Sequence, residues 1–431
     1  MNLMADPMVP VPKVPMLRFD AQPAPAPQRA NADMMADLLD LQFHMESGRP
    51  LARLSRFEGP IAIALRGQVP ATALSDMQAL LRRLRSEARL DVRLAKPGQA
   101  AQVVVDFEPR ITLRALVPTA ACFVVPNVGS LAEYSALRSS PETDWANVVE
   151  RHKVAIFIPS DNSPQEVRDC LHEEVAQSMG PINDLYRLTD SVFNDDNFNS
   201  VLTGFDMLVL RAHYAPELHS GMSEEQVAAL LPGILARLNP RGEQIAAMGG
   251  RQMAPRAWVQ AVNKAFGGQP SMAQRQAAAD QMLDIARDLG WRDGRLGFSY
   301  YAVGRLYSHS APERSQAAFQ AAAKVYAALP GADIQIAHID MQLAAYALSQ
   351  GQDKKALSLV TGALPVVGRA ENAALLSTLL MIKSEALRHL GRVAEAESAR
   401  LDSLSWARYG FGTDARIRER LGEIRALAGE G

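Results

Sequence analysis

The pattern of apolar residues changes character along this chain, and that change limits the fold more than any single motif. EGPIAIALRG (58–67) has apolar residues at period two and is predicted as a strand. SDMQALLRRLRSEARL (75–90) has the i, i+3/i+4, i+7 spacing of an amphipathic helix. DVRLAKP (91–97), AAQVVVDFE (100–108), CFVVPN (122–127) and KVAIFIP (153–159) are further strand candidates. SDNSPQEVRDCLHEEVAQSMG (160–180) then reads as a helix, with Ser163 at the N-cap, Pro164 at N1, and Gly180-Pro181 ending it. Ahead of these, residues 36–56 suggest a short amphipathic helix and a turn at Gly48-Arg49-Pro50.

After residue 185 the character is different. SVFNDDNFNSVLTGFD (191–206) reads as a polar loop and FDMLVLRAHYAPEL (205–218) as a helix. Another helix follows, with Ser223 and Gln226 forming a capping box. Beyond about 270 every apolar stretch is helical in period. SQGQDKKALSLVTGALP (349–365) resembles RHLGRVAEAESARLDSL (388–404), with Gly351 and Gly391, and Ala356 and Ala396, at a common spacing. A turn glycine followed by a small residue where helices cross suits stacked helical hairpins, so the region resembles tetratricopeptide-like repeats or forms a plain helical bundle. Residues 1–35 are rich in Pro and Ala without period and are predicted as a flexible tail. The expected organisation is this tail (1–35), an α/β domain (36–240) and a helical region (241–431).

Composition excludes several roles. With a net charge of -2, no global field draws in nucleic acid or an anionic membrane, and Arg82, Arg83 and Arg85 read as a solvated helix face. No run of eighteen apolar residues occurs, so no transmembrane segment is expected. The two cysteines, Cys122 and Cys170, suit either one disulfide or two buried thiols, and no spacing fits a structural zinc finger. Nucleotide-binding glycine loops and a serine nucleophile elbow are missing from the sequence. The tail has no secretory h-region, but Pro/Ala-rich tails often follow an export cleavage site. A periplasmic or envelope location is therefore expected if an upstream signal was removed.

The stretch CLHEEVAQSMGPIND (170–184) carries the chemistry. A metzincin-type zinc site reads H-E-x-x-H-x-x-G-x-x-H/D, with two imidazoles one helical turn apart and the Glu as base for the metal-bound water. With Gly180 on the motif glycine, Glu173 takes the first ligand position, Glu174 the base, Gln177 the second ligand and Asn183 the third, with Asp184 beside it. His172 is then out of frame. Met222, in HSGMSEEQV, stands where a methionine turn would floor such a site. The strand and helix order, EE-x-x-Q-S-M-G-x-x-ND, SVFNDDNF and LTGFDMLVLRAHYAPEL resemble a bacterial family catalogued as domain of unknown function 2927. The resemblance covers about 35–240 and is strongest over 164–225. It implies a zincin-like fold in an envelope-associated protein, with no settled activity.

Gln and Asn carbonyls with Glu and Asp carboxylates form a hard, all-oxygen set, better suited to Ca²⁺, Mg²⁺ or Mn²⁺ than to zinc. The expected fold is therefore an α+β zincin-like domain followed by an all-α region. The expected function is non-catalytic binding or scaffolding, with a protein partner docking on the C-terminal helices and no resident cofactor. The alternative is a metal-dependent hydrolase using Glu174 as base, a divalent ion on Glu173, Gln177, Asn183 and Asp184, and His172, His213 or His219 joining as ligands. The oxygen-rich loop FNDDNF (193–198) reads first as a turn and helix-capping device, though it could line the cleft.

Overall fold

The computed structural model describes residues 11–20, 22–96, 98–118, 120–249 and 253–429. The chain divides into two compact units. One reaches to Met253 and holds the sheet; the other holds the helices from Ala254 onward, the segment up to Asp20 and Ser163–Glu166. The boundary lies later than the 240 expected from the sequence.

In the first unit the order is α1 (Asn31–Phe43), β1 (Ile61–Gly67), α2 (Ala73–Ser86), β2 (Val92–Leu94), β3 (Val103–Glu108), α3 (Arg110–Leu116), β4 (Phe123–Pro126), α4 (Leu131–Leu137), β5 (Val154–Pro159), α5 (Pro164–Met179), α6 (Gly204–His213) and α7 (Glu224–Leu238). The strands form one sheet in the order β2-β1-β3-β5-β4, parallel except for β4, which runs antiparallel on β5 at the edge. Central parallel strands are buried on both faces, which explains the unbroken apolar runs VVV and VAIFI. Val103, Val105, Phe107, Ile156 and Ile158 point into the main core with Leu80 and Leu84 of α2 and Leu171, Val175 and Met179 of α5. Ala155 and Phe157 face the other way, onto Leu113 of α3 and Tyr134 and Leu137 of α4. The sheet is thus a platform with the motif helix α5 laid on one face.

Three details differ from expectation. The sequence reading leaves α3 and α4 out, because each is only seven residues, about two turns, too short for a period to register. The predicted helix 205–218 stops at His213, since Pro216 disfavours helical backbone at Ala215. The expected flexible tail is ordered over much of its length. Arg29 donates to Asp190 (Nε, 2.9 Å) and to Asp37 (3.2 Å), the Ala24 N–H donates to Glu87, and α1 already begins at Asn31. Prolines remove the period without preventing contact, and composition alone does not register such partners. Residues 1–10 of that tail lie outside the described residues. Of the two alternatives for the cysteines, the disulfide is the one formed: Cys122, just before edge strand β4, is bonded to Cys170 of α5, with Cα atoms 6.0 Å apart.

From Ala254 onward the second unit is helical: α8 (Arg256–Phe266), α9 (Met272–Asp288), α10 (Gly294–Leu306), α11 (Pro312–Ala327), α12 (Asp333–Ser349), α13 (Asp353–Arg369), α14 (Ala373–His389), α15 (Val393–Gly410) and α16 (Asp414–Leu427). α12/α13 and α14/α15 are matched hairpins. Each first helix ends in a left-handed glycine, Gly351 (φ 67°) or Gly391 (φ 73°). Each turn carries the same two bonds: Gln352 N–H to Ala347 and Gly351 N–H to Leu348, Arg392 N–H to Leu387 and Gly391 N–H to Arg388. This double bond closes the last turn without a side chain, which an L-residue adopts only at a cost. Ala356 and Ala396 are both buried in the second helices, as their spacing predicts.

Candidate functional site

Helix α5 is fixed at both ends. At its start the Glu166 N–H donates to Ser163 Oγ (3.2 Å) and the Ser163 N–H donates to Glu166 Oε2 (2.7 Å), a reciprocal cap. At its end the buried guanidinium of Arg151 donates to the carbonyls of Gln177 and Ser178 (both 2.8 Å) and of Gly180 (2.6 Å), and lies 4.7 Å from the centre of the Trp145 ring. Three carbonyls that a helix terminus leaves unpaired are satisfied by one cation, which also complements the helix dipole. Burial lowers the Arg151 pKa to about 10. The next residue of the motif, Gly180, is needed for space. A Cβ there would lie 2.7 Å from Leu210 Cδ2, and no left-handed backbone is involved.

Between these anchors α5 and the loop after it assemble a group of acids and amides. Glu173, Gln177 and Gly180 share a helical face at i, i+4 and i+7, with Glu174 one position round. Gln177 Nε2 donates to Asp184 Oδ2 (3.3 Å), and Asn183 Nδ2 donates to the Asp40 carbonyl (2.9 Å). Glu46 reaches Asp184 from the turn after α1, and Asp195 is held by the Tyr186 hydroxyl (2.8 Å). Glu46 and Asp195 are exposed, Glu173 and Asp184 are half-buried, and Glu174, Gln177 and Asn183 are buried, so the group runs inward from an acidic rim to an amide-lined floor. Glu174 Oε2 and Asn183 Oδ1 have no hydrogen-bond partner, at residues only 4% and 0% exposed.

Burial and the crowding of like charges favour the protonated acids. Burial, followed by Asp195, Glu46 and Asp169, pushes Glu173 up to about 8. Burial, followed by Glu173 and Glu46, holds Glu174 well above the carboxylate range, and burial with Glu46 and Glu173 does the same for Asp184. Near neutral pH burial and the neighbouring acids favour the protonated forms of Glu173, Glu174 and Asp184.

Of the residues chosen by the frame on Gly180, Gln177 is hydrogen-bonded to Asp184 and Glu173 lies near Glu174 and Asp184, while Asn183 bonds the Asp40 carbonyl. The histidines lie elsewhere. His172 is buried, and its Nδ1 accepts the Leu202 N–H (3.1 Å) on another side of the helix, so it is a structural acceptor and no ligand of this group. Burial, then Arg168 and Arg83, holds it neutral. His213 is buried beside Arg151 and Arg56 and is likewise held neutral, chiefly by burial. His219 is exposed with Nδ1 3.0 Å from the Ser220 carbonyl. Met222 accepts the Leu54 N–H on its carbonyl (2.8 Å) and has none of the site acids among its hydrogen-bond partners. The FNDDNF loop makes the expected turn bonds, Asp196 N–H to Asn194 Oδ1 and Phe198 N–H to Asp196 Oδ1, while Asp195 turns toward the acids. Glu46, Tyr186 and Arg151 carry no local sequence signal. They come from a turn, a loop and a strand approach that only the fold brings to α5.

Zinc does not fit this donor set, which has neither imidazole nor thiolate. Among the described residues no group of three or more His, Cys, Asp or Glu side chains is arranged to hold a metal ion. No helix in them is long and apolar enough to cross a membrane. Residues 31–233 match the family model described as "Protein of unknown function (DUF2927)". No curated protein and no solved structure matches the chain.

Proposed function

We propose that the DUF2927 region is a zincin-like domain that has lost zinc chemistry and works by binding, joined to a tetratricopeptide-like helical module that docks a protein partner in the bacterial envelope. One observation carries the reading: the only imidazole on α5, His172, is spent on the Leu202 N–H while the ligand positions hold acids and amides. A mostly parallel sheet under the motif helix supports the zincin-like part, and the paired hairpins with Gly351 and Gly391 support the repeat part. The Cys122–Cys170 disulfide supports an oxidising compartment. Metal analysis of the purified chain, with peptide-library cleavage by wild type and Glu174→Gln, tests it. The expected result is substoichiometric metal and no cleavage; one equivalent of metal with cleavage lost in Glu174→Gln contradicts it.

A second reading rests on the buried, unpartnered oxygens of Glu174 and Asn183. They would suit a hard divalent cation, with Glu174 as a general base in hydrolysis. Calcium, manganese and magnesium belong in the same metal analysis for that reason.

A further inference from the structure

The segment 11–20, VPKVPMLRFD, has no helix or strand, yet it is laid along α15 by three kinds of contact. The Leu17 N–H donates to the Ser405 carbonyl (3.1 Å). Arg408 Nη2 donates to the Pro12 carbonyl (2.8 Å), while its Nη1 is held by Asp414 (2.9 Å), so the guanidinium is oriented from the α16 side. The Phe19 ring stacks on Trp406 with centroids 4.4 Å apart and planes at 25°. Val11 is buried, whereas Leu17 and Arg18 are exposed.

Two of these contacts use only the backbone of the segment. Prolines 12 and 15 stiffen an extended chain, lower the entropy lost on docking, and leave carbonyls free for donors such as Arg408. The remaining contact needs only a flat aromatic ring on Trp406. Hydrogen bonds to the backbone beside an aromatic ring are how extended proline-rich segments are read by their receptors.

We propose that the Ser405–Arg408 face of α15 is a binding site for an extended, proline-containing peptide with an aromatic anchor. Residues 11–20 are its resident intramolecular occupant, and a partner segment of the same chemistry binds by displacing them. This rests on the reading of the helical unit as an interaction module and names its ligand class; the metal and cleavage assays do not depend on it. A tethered occupant competes at an effective concentration near millimolar, so it weakens access without closing it.

The test is fluorescence anisotropy of a labelled VPKVPMLRFD peptide with the full chain. Phe19→Ala, which releases the tethered copy, is expected to bind the peptide about tenfold or more tighter than wild type. Adding Trp406→Ala to Phe19→Ala is expected to remove that binding, and a peptide with both prolines and the phenylalanine replaced by alanine is expected not to bind. Should the Trp406 variant melt early, Arg408→Ala on the Phe19→Ala background takes its place, with at least about threefold weaker binding expected from the lost charge-assisted bond. Equal affinity for wild type and Phe19→Ala, no binding to Phe19→Ala, or binding indifferent to Trp406 and Arg408 overturns the proposal.

Discussion

The two units bury polar groups in different proportions. In the sheet-bearing unit, charged and amide side chains are taken inside: Arg151 under the end of α5, Glu174 and Asn183 at the floor of the acid group, and His172 and His213 as neutral imidazoles. In the helical unit many of the buried polar groups are hydroxyls that bond a neighbouring carbonyl, beside the buried Arg295, Gln335, Glu371, Asn372 and Glu385. Ser377 donates to Ser403 (2.9 Å) and Ser384 to Ala396 (2.8 Å), stitching α14 to α15, while its ion pairs, such as Arg392–Glu395 and Arg400–Glu397, sit outside. The first arrangement is costly to fold and has a chemical identity. The second is cheap, repeats readily and offers its specificity at the surface. A chemical site is thus expected in the first unit and a docking face in the second.

The largest break in this contrast is expected at Arg151. Arg151→Ala leaves three buried carbonyls without a donor and should cost about 3 kcal/mol in urea unfolding, with the loss confined to the sheet-bearing unit. A loss below 1 kcal/mol by roughly the same scale would mean that water replaces the guanidinium. In the helical unit the comparable site is a close approach. A Cβ on Gly410 would stand 2.6 Å from the Ala374 backbone nitrogen, so Gly410→Ala is expected to cost about 1–3 kcal/mol by forcing α14 and α15 apart. Gly391→Ala meets no atom within 4 Å and should cost only the left-handed backbone term, about 1 kcal/mol. If the two glycine variants melt alike, helix contact is not what Gly410 provides.

The pH response sharpens the contrast further. Glu173 has a raised folded pKa, so the native state binds more protons than the unfolded chain between the ordinary Glu value and about 8. Its contribution is therefore favourable below about 4.5 and is lost as pH rises through about 8. Glu173→Gln should raise stability at pH 8 by on the order of 1 kcal/mol, and much less at pH 5. His172 and His213 act oppositely. Their lowered folded pKa values mean that stability falls as pH drops below their ordinary value of 6.5, whatever residue stands at 173. Thermal melts of wild type and Glu173→Gln across pH 5–9 separate the two limbs; parallel curves would remove Glu173 from the account. The smallest effect belongs to the outer ion pairs. Arg392→Ala should leave the melt unchanged within error, and a clear loss would mean that the pair supports the α14/α15 turn.

Much of the α/β unit is legible in the sequence because it rests on local chemistry. The limits of α5 follow from Ser163, Pro164 and Gly180. What escapes the sequence is whatever arrives from a distance. Glu46 and Tyr186 complete the acid group without periodicity of their own, and Arg151 looks like an ordinary surface charge until the end of α5 lies over it. The ordered segment 11–20 escapes for a related reason: the absence of period describes its own backbone and says nothing of a helix that can receive it.

The central claim is that Glu173 and Glu174 on α5 are neutral acids. Side-chain carboxyl carbon NMR of glutamate-labelled protein, titrated from pH 4 to 9 and assigned with Glu173→Gln, tests it most directly. The account predicts that Glu173 stays protonated at pH 7 and titrates at about 8. A Glu173 carboxyl fully ionised by pH 6, in metal-free protein, would contradict it.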